Sequence, residues 1–163
     1  MTREIIDSST RNQNVRPGSV RPDCIIIHGT VGTDTSDLSW LRNPESKVSY
    51  HYLIQRPGAI HRLVHPERRA WHAGESEWEG RKNVNDYSIG VGLSNLGNGE
   101  AFTAAQYASA GWLCEILMRE HNIPLERILG HYHIAPLRKT DPWYTFQWMR
   151  LAAEIEKARR ARD

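Results

Sequence analysis

An unbroken apolar run, Cys24-Ile25-Ile26-Ile27, ends abruptly in His28. The run has no polar alternation, so a strand built from it is buried on both faces, as in a sheet covered by helices. A chain carrying such a strand must supply a layer on either side of it. His28 then stands at the end of a buried strand, where sheet proteins often collect their chemistry.

The rest of the chain supplies those layers. Ser36 and Asp37 precede LSWLRNP, which reads as a short helix stopped before Pro44. SYHYLIQRPGAIHRLV reads as two strands around Arg56-Pro57-Gly58, with Pro57 presetting the turn and Gly58 tolerating a positive φ. From Ser88 to Ser94 the alternation is strict. Ile89, Val91 and Leu93 point one way, and Ser88, Gly90, Gly92 and Ser94 the other. Glycine on one strand face signals close approach of another group to the backbone. Thr103 with Gln106 forms a capping-box pattern, followed by Tyr107, Ala110, Cys114, Leu117 and Met118 at helical spacing until Asn122 and Pro124. A last helix is expected from near Thr145, with Trp148, Leu151, Ala152 and Ile155 on one face. Strands interleaved with amphipathic helices predict an α/β fold: a single layered domain with a central mixed β-sheet flanked by helices. Residues 1–22 are polar and carry Pro17 and Pro22, so they are expected to form an N-terminal arm wrapping a domain at 23–163.

Composition narrows the function classes. The chain of 163 residues is 39% hydrophobic and 25% charged, the balance of a soluble globular domain. No run approaches the roughly 20 apolar residues needed to span a bilayer. The start, MTREIIDSST, lacks the basic and apolar regions of a secretory signal, so synthesis in the cytoplasm is expected, without stable membrane association. A net charge of +2, with its basic cluster KARRARD at the end of a helix, argues against nucleic acid as a partner. Cys24 and Cys114 stand in apolar surroundings and read as unpaired buried thiols. A monomer is expected.

The chain has eight histidines. His121 reads as a helix-end surface residue, His61 and His65 as members of a hairpin arm, and His51 and His72 as packed, hydrogen-bonded side chains. His28, His131, His133 and Asp141 remain as metal candidates, since a catalytic zinc takes three His or carboxylate ligands and keeps one position open. Cys24 is excluded, because four residues of strand put it about 13 Å from His28. His131 and His133, read as a strand, would lie about 6.6 Å apart on one face, so spacing alone leaves both in contention.

The stretches IIIHGT, SYHYLIQRPGAIHRLV, RAWHAG, NDYSIGVGLSN, FTAAQ and GHYHIAPLRKTDPW follow one another in this order. Together, from about Asp23 to Trp148, they resemble the zinc-dependent N-acetylmuramoyl-L-alanine amidases, a family that includes phage amidase lysozymes, bacterial recycling amidases and animal peptidoglycan recognition proteins. The resemblance implies one Zn2+ ion, with His28, His131 and Asp141 as its ligands and Lys139 as a catalytic lysine. His133 departs from the family motif, which commonly has Asp there, and is ranked outside the ligand set. Recycling amidases carry a catalytic Glu where this chain has Gly92. Other branches carry a Tyr just before the strand histidine, and Tyr50 matches it as the second catalytic residue. Gly90 and Gly92 are then expected to leave room beside the metal for a bulky muramoyl peptide. Trp71, His72, Trp78 and Asn85 are expected to line the cleft as substrate-binding residues, since aromatic faces pack on sugars and amides bond to them. The resemblance implies hydrolysis of the amide between N-acetylmuramic acid and L-alanine, with bacterial peptidoglycan as the partner. Tyr50 and Lys139 resemble the phage-lysozyme helpers most closely, so a phage endolysin is the expected setting. The alternatives are a non-catalytic peptidoglycan-binding module and a cytosolic muropeptide-recycling amidase.

Overall fold

The computed structural model describes residues 3–163. In chain order the strands and helices are β1 (Ile5–Asp7), β2 (Gln13–Val15), β3 (Cys24–Gly29), α1 (Asp34–Arg42), β4 (Tyr52–Ile54), β5 (Ile60–Arg62), β6 (Arg68–Ala70), β7 (Glu77–Trp78), β8 (Arg81–Lys82), β9 (Ser88–Leu93), α2 (Ala104–His121), β10 (Ile128–Gly130), α3 (His131–Ile134) and α4 (Trp148–Arg162). The main sheet has the order β1-β5-β4-β9-β3-β10. Within it β3 runs parallel to both β9 and β10, whereas β4 and β5 form the antiparallel hairpin read from the sequence. The sheet is therefore mixed, as expected, and Cys24 to Ile27 are fully buried.

Strand alternation gives the two faces of the sheet different work. Ile25, Ile27, Ile89, Val91 and Leu93 share one core with Tyr107, Leu113 and Leu117 of α2 and Leu151 and Ile155 of α4. On the opposite face Cys24 and Ile26 pack with Ala73, Val84, Tyr87, Leu129 and Ile134, drawn largely from loops. The β3–β9 register pairs Cys24 with Ser88, Ile26 with Gly90 and His28 with Gly92. His28 and the small residues of β9 consequently share the face away from α2 and α4.

Helix α2 begins with the capping box that its sequence announces. Thr103 Oγ1 accepts the Gln106 N–H at 3.0 Å, and Gln106 Oε1 accepts the Thr103 N–H at 3.0 Å. Gln106 also donates its amide to the Ser94 carbonyl at 2.8 Å, which ties the helix start to the end of β9. Asn122, in the left-handed region at φ 54°, terminates the helix.

Several boundaries differ from the sequence reading. Helix α1 starts at Asp34 because Thr33, ahead of Ser36, supplies the cap. Helix α4 starts at Trp148 because Trp143 adopts φ 67° and a turn closed by Phe146 N–H on the Trp143 carbonyl occupies the preceding residues. The strand expected through His131 and His133 ends at Gly130 and coils at once into α3. Of the N-terminal arm, residues 1 and 2 lie outside the described residues, and the remainder is stitched to the domain. β1 pairs parallel with β5, and β2 pairs antiparallel with β6. Strands this short carry no apolar periodicity by which a sequence could reveal them. Cys24 and Cys114 are buried and unpaired, as expected. Among the described residues no helix is long and apolar enough to cross a membrane.

Replacing Thr103 by Ala leaves the first turn of α2 without its cap. The expected cost is about 1 kcal/mol, read as a lower midpoint with an unchanged slope in chemical denaturation.

Candidate metal centre

Three elements bring three ligand-type side chains together. His28 ends β3, while His131 opens α3 directly after β10, whose Gly130 pairs with Ile27. Asp141 follows on the next loop, which is fixed to α3 by the Tyr132 N–H donating to the Asp141 carbonyl at 3.1 Å. His28 Nδ1 lies 3.1 Å from His131 Nδ1, His131 Nδ1 lies 3.1 Å from Asp141 Oδ1, and His28 Nδ1 lies 3.4 Å from Asp141 Oδ2. All three residues are buried.

The outer ring nitrogens decide what the inner ones can do. His131 Nε2 faces the Ala73 carbonyl at 3.2 Å, and a carbonyl only accepts, so this nitrogen carries a proton, which in the neutral ring would free Nδ1 for a metal. His28 Nε2 lies 2.9 Å from His72 Nδ1, and His72 Nε2 lies 2.9 Å from Ser88 Oγ. One proton on Nε2 of each ring, donated in the order His28 to His72 to Ser88, would free His28 Nδ1 for a metal as well. Burial keeps both rings neutral, drawing His28 down to about 4 and His72 well below its ordinary value. Burial alone would raise Asp141, but protons shared from the facing His131 and His28 Nδ1 atoms outweigh burial and hold its carboxyl below the usual carboxylate range. Two Nδ1 atoms and a carboxylate thus converge within 3.4 Å of one another, and a cation binding there would replace the protons shared among them. Nitrogen and oxygen donors of this kind, with their outer nitrogens engaged, fit zinc.

The other expected site residues sort by where the tertiary structure puts them. The Tyr50 ring packs on His28 at a tilt of 34°, with ring centroids 4.8 Å apart. Burial raises its pKa, so the phenol stays protonated and able to donate. Tyr50 and Lys139 both line an open cleft of about 800 Å³ that also contains His131 and Asp141. Trp71, His72 and Asn85 line it too, yet two of these are committed elsewhere. Besides bridging His28 and Ser88, His72 is pinned by Asn85, whose Oδ1 accepts the N–H groups of His72 and Ala73 at 3.0 and 2.8 Å.

Three expectations are corrected. Trp78 packs against the buried cluster around Cys24, Ile26 and Ala73 instead of lining the cleft. His133 does not share a face with His131, because α3 replaces the strand on which that reading depended. Its Nδ1 accepts the Gly130 N–H at 2.7 Å and its ring packs on Tyr132 and Trp148, away from the ligand cluster. Nor is the glycine face of β9 empty. A Cβ on Gly90 would meet His72 Cγ at 2.5 Å, and one on Gly92 would meet Tyr50 Cδ2 at 2.5 Å. The absent side chains make room for two rings that flank His28, and the substrate space lies beyond them.

Cleft residues that the sequence did not reveal are Thr30, Asp37, Trp40, Arg138 and Trp143. Thr30 Oγ1 donates to Asp37 Oδ2 at 2.5 Å, and Trp40 stands 54% exposed on the cleft wall. Arg138 Nη2 donates to the carbonyls of Ala73 and Glu75, each at 2.8 Å, bracing the loop that holds His131. Only the position of Arg138 and Trp143 inside GHYHIAPLRKTDPW offered a signal.

Residues 18–144 match the family model described as N-acetylmuramoyl-L-alanine amidase. The 1,6-anhydro-N-acetylmuramyl-L-alanine amidase AmpD of Haemophilus influenzae is 41% identical over 113 residues, covering 69% of this chain and 61% of that protein, so the chain matches about three fifths of that relative's length. A solved structure of an AmpD derivative superposes with a TM-score of 0.84 at 29% identity, covering 94% of this chain and 96% of the other. The Escherichia coli amidase AmiD, solved with anhydro-N-acetylmuramic acid-L-Ala-D-γ-Glu-L-Lys, gives a TM-score of 0.77 at 32% identity, covering 86% of this chain and 60% of that one.

Buried neutral histidines make the metal-free protein sensitive to acid. His28 titrates at about 4 and His51 at about 3, both lowered chiefly by burial, against 6.5 for an unburied histidine. Below pH 6.5 the unfolded chain binds protons that the folded one refuses, so stability is complete above that pH and is lost as the pH falls toward 3. The slope is up to about 1.4 kcal/mol per pH unit for each ring. Urea midpoints of the chelator-treated protein should be level between pH 8 and 7 and fall between 6 and 4; a level profile through pH 4 refutes the burial argument.

Proposed function

The chain belongs to the N-acetylmuramoyl-L-alanine amidase family, and from that premise we propose that it hydrolyses the amide between the lactyl carbonyl of N-acetylmuramic acid and L-alanine. In this reading one zinc ion is held by His28, His131 and Asp141. The observation that carries it is the convergence of two Nδ1 atoms and a carboxylate, with His72 and Ala73 placed to engage the outer nitrogens of the two rings. Bound there, zinc supplies Lewis acidity toward the scissile carbonyl and toward water.

The chain's own residues carry the remaining work. The Lys139 ammonium stabilises negative charge developing on the carbonyl oxygen, and its field already reaches His28. Tyr50 donates its hydroxyl proton as a hydrogen bond to the same oxygen or to the attacking water, from a ring steadied against His28 and Gly92. Trp71 offers an aromatic face at the cleft wall for the sugar or the stem peptide. His72 and Asn85 serve the ligands and their loop.

The relatives support one substrate form over the other. The Haemophilus influenzae relative is named for 1,6-anhydro-muramyl peptides, and AmiD was solved with an anhydro-muramyl tripeptide, which favours soluble muropeptide fragments over the intact wall that the endolysin expectation requires. In favour of the endolysin reading, Tyr50 occupies the space over Gly92 where recycling amidases carry a glutamate. Mass spectrometry of products from soluble anhydro-muropeptides and from purified wall sacculi separates the two. Free stem peptide from fragments alone supports recycling; equal or faster release from sacculi reverses the order; release from neither removes the amidase reading.

Substitution of His28, His131 or Asp141 by Ala should abolish stoichiometric zinc in elemental analysis, whereas His133→Ala should retain it. Tyr50→Phe should lower kcat about a hundredfold with zinc content unchanged; an unaffected kcat removes Tyr50 from the mechanism.

A further inference from the structure

Arg16 lies in the N-terminal arm, outside the residues that match the family model. It is nevertheless only 4% exposed. Its Nη2 donates to the carbonyls of Pro66 and Ser88, each at 2.8 Å, and its Nη1 to those of Asn85 at 3.2 Å and Asp86 at 2.9 Å. Its Nε donates to the Pro66 carbonyl at 3.1 Å. Burial lowers the guanidinium to about 10, so it remains a cation at neutral pH, held by main-chain carbonyls. Burying a charge this way is costly, and an arm needing only attachment already has the backbone pairing of β1 and β2.

The identity of the gripped residues gives the grip a purpose. Asn85 holds the N–H groups of both His72 and Ala73 with its Oδ1. Ser88 meets His72 Nε2 with its hydroxyl at 2.9 Å. His72 and Ala73 are consecutive, and they take the outer nitrogens of the two ligand histidines, His28 and His131 respectively. Gly90, between Asn85 and the end of β9, leaves the space that the His72 ring fills.

We propose that Arg16 is a positioning residue of the metal centre, acting through Asn85 and Ser88 on the His72-Ala73 pair that orients His28 and His131. This inference rests on the zinc reading above. Groups that orient metal ligands are typically worth tenfold to a hundredfold in metal affinity. Two routes leave Arg16, one through the Asn85 side chain to the loop backbone and one through Ser88 to the His72 ring, and both end on the same pair of residues. A residue that merely staples the arm would lower the melting temperature and leave the ligand geometry alone.

The test compares the full-length wild type with Arg16→Met and Ser88→Ala, the second of which removes one hydroxyl and keeps the carbonyl that Arg16 grips. Zinc Kd is read by chelator competition, and ligand geometry by the visible spectrum of the cobalt-substituted protein, at a temperature where all variants are folded by circular dichroism. Both variants are expected to bind zinc about tenfold more weakly or worse, with a shifted cobalt band. Wild-type Kd and an unchanged cobalt band in Arg16→Met, with only the melting temperature lowered, overturn the proposal. Should Arg16→Met not fold, Arg16→Lys, which keeps a buried cation but loses the planar fork, reads the same two quantities with the same outcomes. If the wild type itself binds no stoichiometric zinc, the metal reading falls first and this inference with it, a result distinct from normal zinc binding in every variant.

Discussion

The parallel pairing of β3 with β9 on one side and β10 on the other is the constraint from which the site follows. Each pair is held in a single register by apolar side chains that must face the α2–α4 layer. A slip of one residue would turn Ile25 and Ile27 out of that core and His28 into it. The hydrophobic cost of such a slip therefore fixes His28 beside Gly92 and delivers the residue after β10, His131, to within hydrogen-bonding distance of His28. The ligand cluster inherits its geometry from the burial of isoleucine, valine and leucine on the opposite face.

The loop-covered face solves a different problem. Rings and polar groups are buried there without forfeiting their hydrogen bonds. His28, His72 and Ser88 form one line of contacts, while His51 Nδ1 accepts the Gly90 N–H at 2.9 Å and its Nε2 donates to the Arg68 carbonyl at 2.9 Å. Arg16 and Arg138 both secure main-chain carbonyls, Arg16 those of Asn85 and Ser88 and Arg138 that of Ala73. Burial keeps His28, His51 and His72 neutral, and neutrality leaves each of them one proton to commit. Where the outward nitrogens hold those protons, the inward ones are free for a metal.

Much of the fold was legible because its signals are local. The apolar run at β3, the Pro57-Gly58 turn and the Thr103–Gln106 box each act within a few residues, and each element formed where its pattern stood. The readings that failed needed a partner distant in sequence. His133 was compared with His131 on an assumed strand, yet backbone geometry past Gly130 is helical, and that turns the two rings apart. The glycines of β9 did signal close approach, but what approaches them is His72 and Tyr50 rather than substrate. Trp78 looked like a cleft aromatic, yet it packs against the buried cluster that contains Cys24 and Ile26.

The sequence by itself determined the mixed α/β domain, the strand that ends in His28 and the ordered motifs whose histidine, aspartate and lysine imply a hydrolytic metal site. Periodicity and turn chemistry are written in neighbouring residues, and ordered motifs are visible without coordinates. Only the tertiary structure decided which nitrogen of each histidine faces inward, that His72 stands behind His28, and that an arginine from the polar arm grips the carbonyls of Asn85 and Ser88. Those facts depend on which donor meets which acceptor across gaps of 44 to 72 residues, and no local pattern encodes a contact of that kind.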